Sequence, residues 1–240
     1  MDIGRSFSYQ FEDKQWISKL GIAALILFVP ILNFALPGYI IALMRNVMDN
    51  SHEPLPNWDD LSKKFIDGLI LVTARLIYFL PIIILFIPIV IIVFSSLISG
   101  NHNLHDIGNL MTGAGSLLFI CLACVVMIYF LALSIIFPAI ELVFAREGTF
   151  ASLFKLREAF DIVSRNTSLF FTAWIVYFVA SLGLSLILGI LNVMVGWIPC
   201  LGVTASLIIS FGSATYLLTI NAYLFGQFGL VTFGKSQPAG

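Results

Sequence analysis

Among the charged side chains that fall within the long apolar runs of this sequence, two stand out. Arg75 lies within residues 66–98, and Glu141 lies near the end of residues 116–145. If these runs cross a bilayer, a charge at depth costs about 2.5–3.5 kcal/mol on insertion scales and needs a partner or water. Antiparallel neighbours would bring both side chains into the same half of the membrane, as a candidate intramembrane polar pair on an ion or substrate path. The simpler role is structural. Arg75 would snorkel or tie two helices together, and Glu141 would pair with Arg146 near the interface.

Other residues of chemical type are poorly placed for catalysis. Cys121 and Cys124 form a CxxC on one helical face, but a tetrahedral zinc site wants four ligands, and no second pair or nearby His completes it. His102 and His105 stand beside Asp106 in a short loop, and His52 shares a loop with Asp59 and Asp60. Helix capping explains the two Asp better than acid–base work does. The histidines fall outside the apolar runs, which argues against a haem ligated within them. No nucleophile elbow, phosphate loop, dinucleotide fingerprint, HExxH or kinase pattern occurs. The sequon Asn166-Thr167-Ser168 falls on the expected inner face and is discounted. The expectation is therefore no catalytic residue, no metal and no cofactor.

The elements around these residues follow from composition. Of 240 residues, 60% are hydrophobic and 10% charged. A soluble domain runs near 45–50% and 25%. Mean hydropathy is +1.03. This is more apolar surface than a soluble core of this size can hide, so the chain is an all-α polytopic membrane protein. A net charge of -1 offers no bulk attraction to nucleic acid. The three cysteines make no disulfide framework, and the first residues lack the pattern of a cleaved signal peptide. A bilayer core of about 30 Å takes about 20 helical residues. Four stretches meet that need: 66–98, 116–145, 169–195 and 198–224. Pro81, Pro88 and Pro138 should kink their helices rather than end them. The reading is one integral-membrane domain over residues 1–230, with a polar tail at 231–240.

Residues 20–44 are ambiguous. Their length suits one span, but Pro30, Asn33, Pro37 and Gly38 crowd the middle and suggest two half-helices around a break. Charge arbitrates. Every Lys and Arg except Arg75 falls in segment 1–20, the loop after residue 44, the loop 146–168 or the tail. A re-entrant hairpin puts all of them inside, as the positive-inside rule prefers. The alternative is five spans with the N-terminus outside.

Three segments read as interfacial helices. The first, 3–20, carries a stripe of Ile3, Phe7 and Phe11. In 53–66, Asn57 should cap a helix in which Trp58, Leu61 and Phe65 share a face. In 149–164, Thr149 should cap, with Phe150, Leu153, Phe154 and Phe160 to one side. The loop Pro56, Asn57, Trp58, Asp59 and Asp60 is the candidate cytoplasmic interaction loop. Two small-residue stripes, Ser181/Ser185/Gly189 and Ser206/Ser210/Ala214, should let the last two spans pack closely, more readily than they make a dimer face.

Several stretches carry a family resemblance: the Trp16–Leu20 entry into LGIAALILFVPILN, then PGYIIALMRNV, PLPNWDDLSKKFIDGL and the late WIPCLG. In order and spacing they resemble the prokaryotic integral-membrane family known only as domain of unknown function four-zero-one-three, over about residues 5–230. The resemblance implies a bacterial or archaeal cytoplasmic membrane. It transfers no activity and no site residue.

The functional expectation is a non-enzymatic membrane module: an accessory or scaffold subunit, or a binder of lipid or of another membrane subunit at the loop 56–60. The alternative is a small transporter or channel-like protein for a neutral or lipidic solute, using the break at Pro30–Gly38. A lipid-active enzyme would need His52 brought together with Asp59 and Asp60.

Overall fold

A computed structural model describes residues 1–98, 114–197 and 201–234. Within them the chain is all helical: α1 (Ile3–Glu12), α2 (Trp16–Ile26), α3 (Ala35–Met48), α4 (Leu61–Ile98), α5 (Ala114–Glu147), α6 (Leu156–Arg165), α7 (Thr167–Gly196) and α8 (Leu201–Gly234). Short 3-10 turns occupy Leu32–Phe34 and Phe150–Phe154. Four helices are long and apolar enough to cross a membrane, over Leu61–Pro88, Ile120–Glu147, Thr167–Gly196 and Gly202–Gly234. The chain is a multi-pass membrane protein. Pro81, Pro88 and Pro138 lie inside continuous helices, as expected.

The chain divides into two compact units, Met1–Val72 with Pro138–Gly240, and Thr73–Phe137. The first holds nearly all of the buried side chains. Its core gathers Tyr9, Tyr39, Ile40, Leu43, Val47, Leu55, Ala222 and Tyr223. At 1.5 Å per residue, the 34 residues of α8 reach about 51 Å. That exceeds the bilayer core, and α1, α2 and α3 pack along its C-terminal part. Asp2 N–H donates to Gln227 Oε1 at 2.7 Å. The Tyr9 and Tyr223 rings stack at 4.1 Å, and Phe28 meets Phe211 edge-on at 4.6 Å. The chain then returns, and Val47 lies against Gly226. Residues 2–47 thus run along α8 from Gln227 to the level of Phe211 and back.

The second unit is held differently. Phe79 packs near Phe130 at 5.6 Å, and Tyr129 donates its hydroxyl to the Tyr78 carbonyl at 2.6 Å. Most of its large apolar side chains stay exposed, Leu76, Leu80, Ile84 and Met127 among them. Lipid tails are as apolar as these side chains, so nothing drives them inward.

Several expectations need correction. The break in residues 20–44 is real but spans 27–34, while Pro37 and Gly38 lie inside α3. Pro37 is the third residue of that helix, where its missing N–H has no intrahelical partner to lose. Gly38 serves close packing instead. A Cβ there would fall inside the radius of the Lys64 carbonyl oxygen, and one at Gly68 would strike the Phe34 carbonyl. The two glycines let α3 and α4 touch backbone to backbone. Segment 53–66 is not a separate helix: α4 starts at Leu61, so Asn57 lies too far ahead to cap it. Segment 149–164 is a 3-10 turn followed by α6, and Thr149 makes no capping hydrogen bond. The interfacial reading of α1 is not among these corrections, since its polar side turns toward the protein. Ser6, Tyr9 and Gln10 are buried, while Ile3 and Phe11 of the apolar stripe are exposed. Finally, Gly189 faces open space, so the stripe in α7 does not serve close helix packing there.

Candidate functional site

The polar chemistry of the first unit collects where α3 ends and α4 begins. Arg45, near the C-terminus of α3, is its hub. Its Nη1 donates to Asp67 Oδ2 at 2.5 Å, and its Nε donates to the Ala145 carbonyl at 2.8 Å. The guanidinium carbon lies 5.7 Å from the Phe144 ring centre. One side chain thus ties α3, α4 and the end of α5 together. A planar guanidinium suits this work, because its donors point in several fixed directions at once. Only 22% of the Arg45 side chain and 12% of the Asp67 side chain remain exposed, so the ion pair is poorly screened by water.

Two cavities open beside this pair. The larger, about 710 Å³, is lined by Asp49, Lys63, Asp67, Arg146 and Glu147 together with Arg45. The smaller, about 280 Å³, is lined by Asn57, Asp59, Asp60 and Lys64, and shares Arg45, Lys63 and Asp67 with the larger. Both cations and carboxylates line each of them, so neither presents a field of one sign.

The loop Pro56–Asp60 borders the smaller cavity, but most of it is locked. Pro56 is buried. Trp58 donates its indole N–H to the Lys19 carbonyl at 2.9 Å, and its ring stacks on Tyr39 at 4.5 Å and 11°. Asn57, Asp59 and Asp60 face outward. Beneath the loop, Lys19 donates to Asp13 Oδ2 at 2.7 Å and to the Leu55 carbonyl at 3.0 Å. Burial pushes the Asp13 carboxyl upward, but the hydrogen bonds from Lys19 and the Gln15 N–H outweigh it, and its pKa falls below the ordinary value. Tyr39 OH and Gln10 Oε1 are buried without a hydrogen-bond partner among the described residues. Burial, and secondarily the charge of Asp13, raises the Tyr39 phenol.

The other candidates are placed as follows. Arg75 belongs to the second unit, where its guanidinium lies 6.0 Å from the Phe137 ring. Glu141 belongs to the first, where it is buried. Pro30 and Asn33 sit in the break, where Asn33 N–H donates to the Val29 carbonyl at 2.9 Å. Neither lines the two cavities. Cys121 and Cys124 are free, exposed thiols on α5. His52 is exposed and lines neither cavity. His102, His105, Asp106 and Cys200 lie outside the described residues. Among the described residues no three His, Cys, Asp or Glu side chains cluster as a metal site would need.

Two arrangements escaped the sequence reading: the Arg45–Asp67 pair and the Asp13–Lys19 pair. Both join residues from different elements, or from opposite sides of a helix break, where periodicity carries no signal. The available hint was that Arg45 and Asp67 each stand at the edge of an apolar run.

No curated protein and no solved structure matches the chain. A family model described as a protein of unknown function matches residues 21–193, from the middle of α2 almost to the end of α7. The chain, a multi-pass helical membrane protein knotted together at one polar end by Arg45, therefore belongs to the DUF4013 family.

Proposed function

We propose that this protein is a non-enzymatic membrane module, an accessory or scaffold subunit that binds lipid or a partner protein at its polar end. The observation that carries this reading is how its polar groups are used. Arg45 is engaged by Asp67 and Ala145, Lys19 by Asp13 and Leu55, and Trp58 by Lys19. Groups held this tightly build a shape and are poorly placed to exchange protons with a substrate. The helix break is also sealed on one side, where Phe34 meets Gly68 backbone to backbone, while Val29 and Ile31 point outward. A solute path would leave polar groups facing a cavity there.

The same reading sets the protein in the cytoplasmic membrane of a prokaryote with its polar end inside. Helices α2 and α3 have 11 and 14 residues, each too short for a bilayer core of about 30 Å. A re-entrant hairpin beside α8 accounts for both lengths and for the placement of positive charge. A single cysteine at Ser8, which is exposed, in a background without the native cysteines tests the topology. Labelling should come from the cytoplasmic side alone. Flux through reconstituted vesicles tests the role. No neutral solute should enter faster than into empty vesicles, and uptake abolished by Asn33→Leu would establish a carrier instead.

A further inference from the structure

One charged group at the polar end is not held as Arg45 and Lys19 are. Lys64 stands in the first turn of α4 and is only 7% exposed. Its backbone is pressed against α3, since its carbonyl is the group that a Cβ at Gly38 would strike. Its side chain lines the smaller cavity, about 280 Å³ in volume. Yet that side chain makes no hydrogen bond and no ion pair among the described residues. An ammonium group drawn out of water without a counter-charge is costly, and a ligand that brings one would offset that cost.

The rest of the lining decides what such a ligand must carry. Arg45 and Asp67 are committed to each other, and the Asn46 side-chain amide donates to the Pro54 carbonyl at 2.9 Å. That leaves Lys63 and Lys64 against Asp59 and Asp60, none of them in an ion pair among the described residues. The uncommitted charges balance, and they differ in depth: Lys64 is buried, whereas Lys63, Asp59 and Asp60 are exposed. A simple anion would be repelled by two carboxylates on the exposed side, and a simple cation by Lys64 within. A ligand carrying both charges meets a partner for each. Of the lining residues only Ala42 and Pro56 are apolar, so an acyl chain finds no wall here and a water-soluble ligand is favoured. The volume lies just below the range of about 300–1,000 Å³ usual for drug-sized ligands, which restricts the occupant to a small molecule.

We propose that the cavity between α3 and the start of α4 binds a small, free zwitterion of the amino-acid class, its anionic group on the Lys64 amine and its ammonium group toward Asp59 and Asp60. This goes beyond the binding of lipid or a partner protein at the same end. Ligand-observed NMR saturation transfer from the full chain in detergent micelles tests it, with glycine, β-alanine and 4-aminobutyrate as zwitterions, acetate as the anion and methylammonium as the cation. At least one zwitterion should bind about ten-fold more tightly than acetate and methylammonium, the worth of one charge-assisted contact. Lys64→Met should weaken that binding about ten-fold. The same variant should unfold at an unchanged or higher temperature, because it removes a buried charge that has no partner, and this shows that it is folded. Asp59→Asn/Asp60→Asn, at two exposed positions, should bring the zwitterion down to the level of acetate. No binding of any zwitterion, binding unchanged in Lys64→Met, or acetate bound as tightly as the best zwitterion would overturn the proposal. Loss of the signal on adding phosphatidylethanolamine, but not phosphatidylcholine, to the micelles would also overturn it, by assigning the site to a lipid headgroup. None of these results moves the solute-flux assay, so the two readings fail separately.

Discussion

The helical hairpin of residues 2–47 and the Thr73–Phe137 unit are both rich in apolar residues, yet they are organised in opposite ways. In the hairpin, tyrosines and aliphatics are fully buried, polar side chains reach specific partners, and backbones touch at Gly38 and Gly68. In the other unit, leucines and isoleucines stand exposed along two proline-containing helices, joined by ring contacts and the Tyr129 hydroxyl. Apolar surface need not be buried when the solvent is lipid, whereas polar backbone and charge must be satisfied wherever they lie. The break in the hairpin and its charged ends demand closely fitted partners. The long helices satisfy their own backbones and demand few.

This contrast can be broken by experiment. The largest effect is expected from Lys19→Met, which strands the buried Asp13 carboxylate. Breaking a buried pair on one side costs about 3–5 kcal/mol. Thermal unfolding in detergent should show that loss, and the double variant Asp13→Asn/Lys19→Met should recover much of it. Full stability in the single variant would mean that the pair is not structural.

Gly68→Ala should follow, at about 3 kcal/mol, because the new methyl meets the Phe34 backbone rather than a movable side chain. Gly189→Ala on the open side of α7 should change stability by less than about 0.5 kcal/mol. Equal effects at the two sites would erase the distinction between a fitted region and a loose one.

Acid should act on the hairpin. Asp13 holds its proton more weakly in the folded chain than in the unfolded one. Its contribution is therefore complete above the unfolded value near about 3.9 and is lost as pH falls through the lower folded value. Quenching of Trp58 fluorescence, followed below about pH 4, should report the loosening, and Asp13→Asn should remove that step.

The smallest effects separate two tyrosines. Tyr129→Phe removes a hydrogen bond between apolar helices and should cost about 0.6 kcal/mol. Tyr39→Phe removes a buried hydroxyl without a partner and should be neutral, or stabilising by up to about 1 kcal/mol. A large loss in Tyr39→Phe would mean that this hydroxyl is satisfied by bound water.

Much of the architecture could be read in the residues. The four long helices match their apolar runs, and the break was marked by Pro30 and Asn33. The misreadings share a cause. The pattern WDDLSKKF suggested a separate capped helix, but its residues from Leu61 onward continue into α4. The Ile3, Phe7 and Phe11 stripe marked two faces of α1 but not which one meets the protein, and α1 buries Ser6, Tyr9 and Gln10. Amphipathicity says that a helix has two faces. What lies opposite decides which one turns inward, and here a bilayer reverses the usual answer.

The membrane class, the number of long spans and the presence of a break within residues 20–44 were determined by the sequence alone. Each depends on hydropathy or turn chemistry summed over a window of neighbours, and lipid leaves the backbone almost no alternative to helix. Only the tertiary structure decided that Arg45 binds Asp67 and Ala145, that Lys19 buries Asp13, and that α3 and α4 meet at two glycines. Those contacts join residues far apart in sequence or across a helix break. Their energies depend on distances that no local pattern encodes.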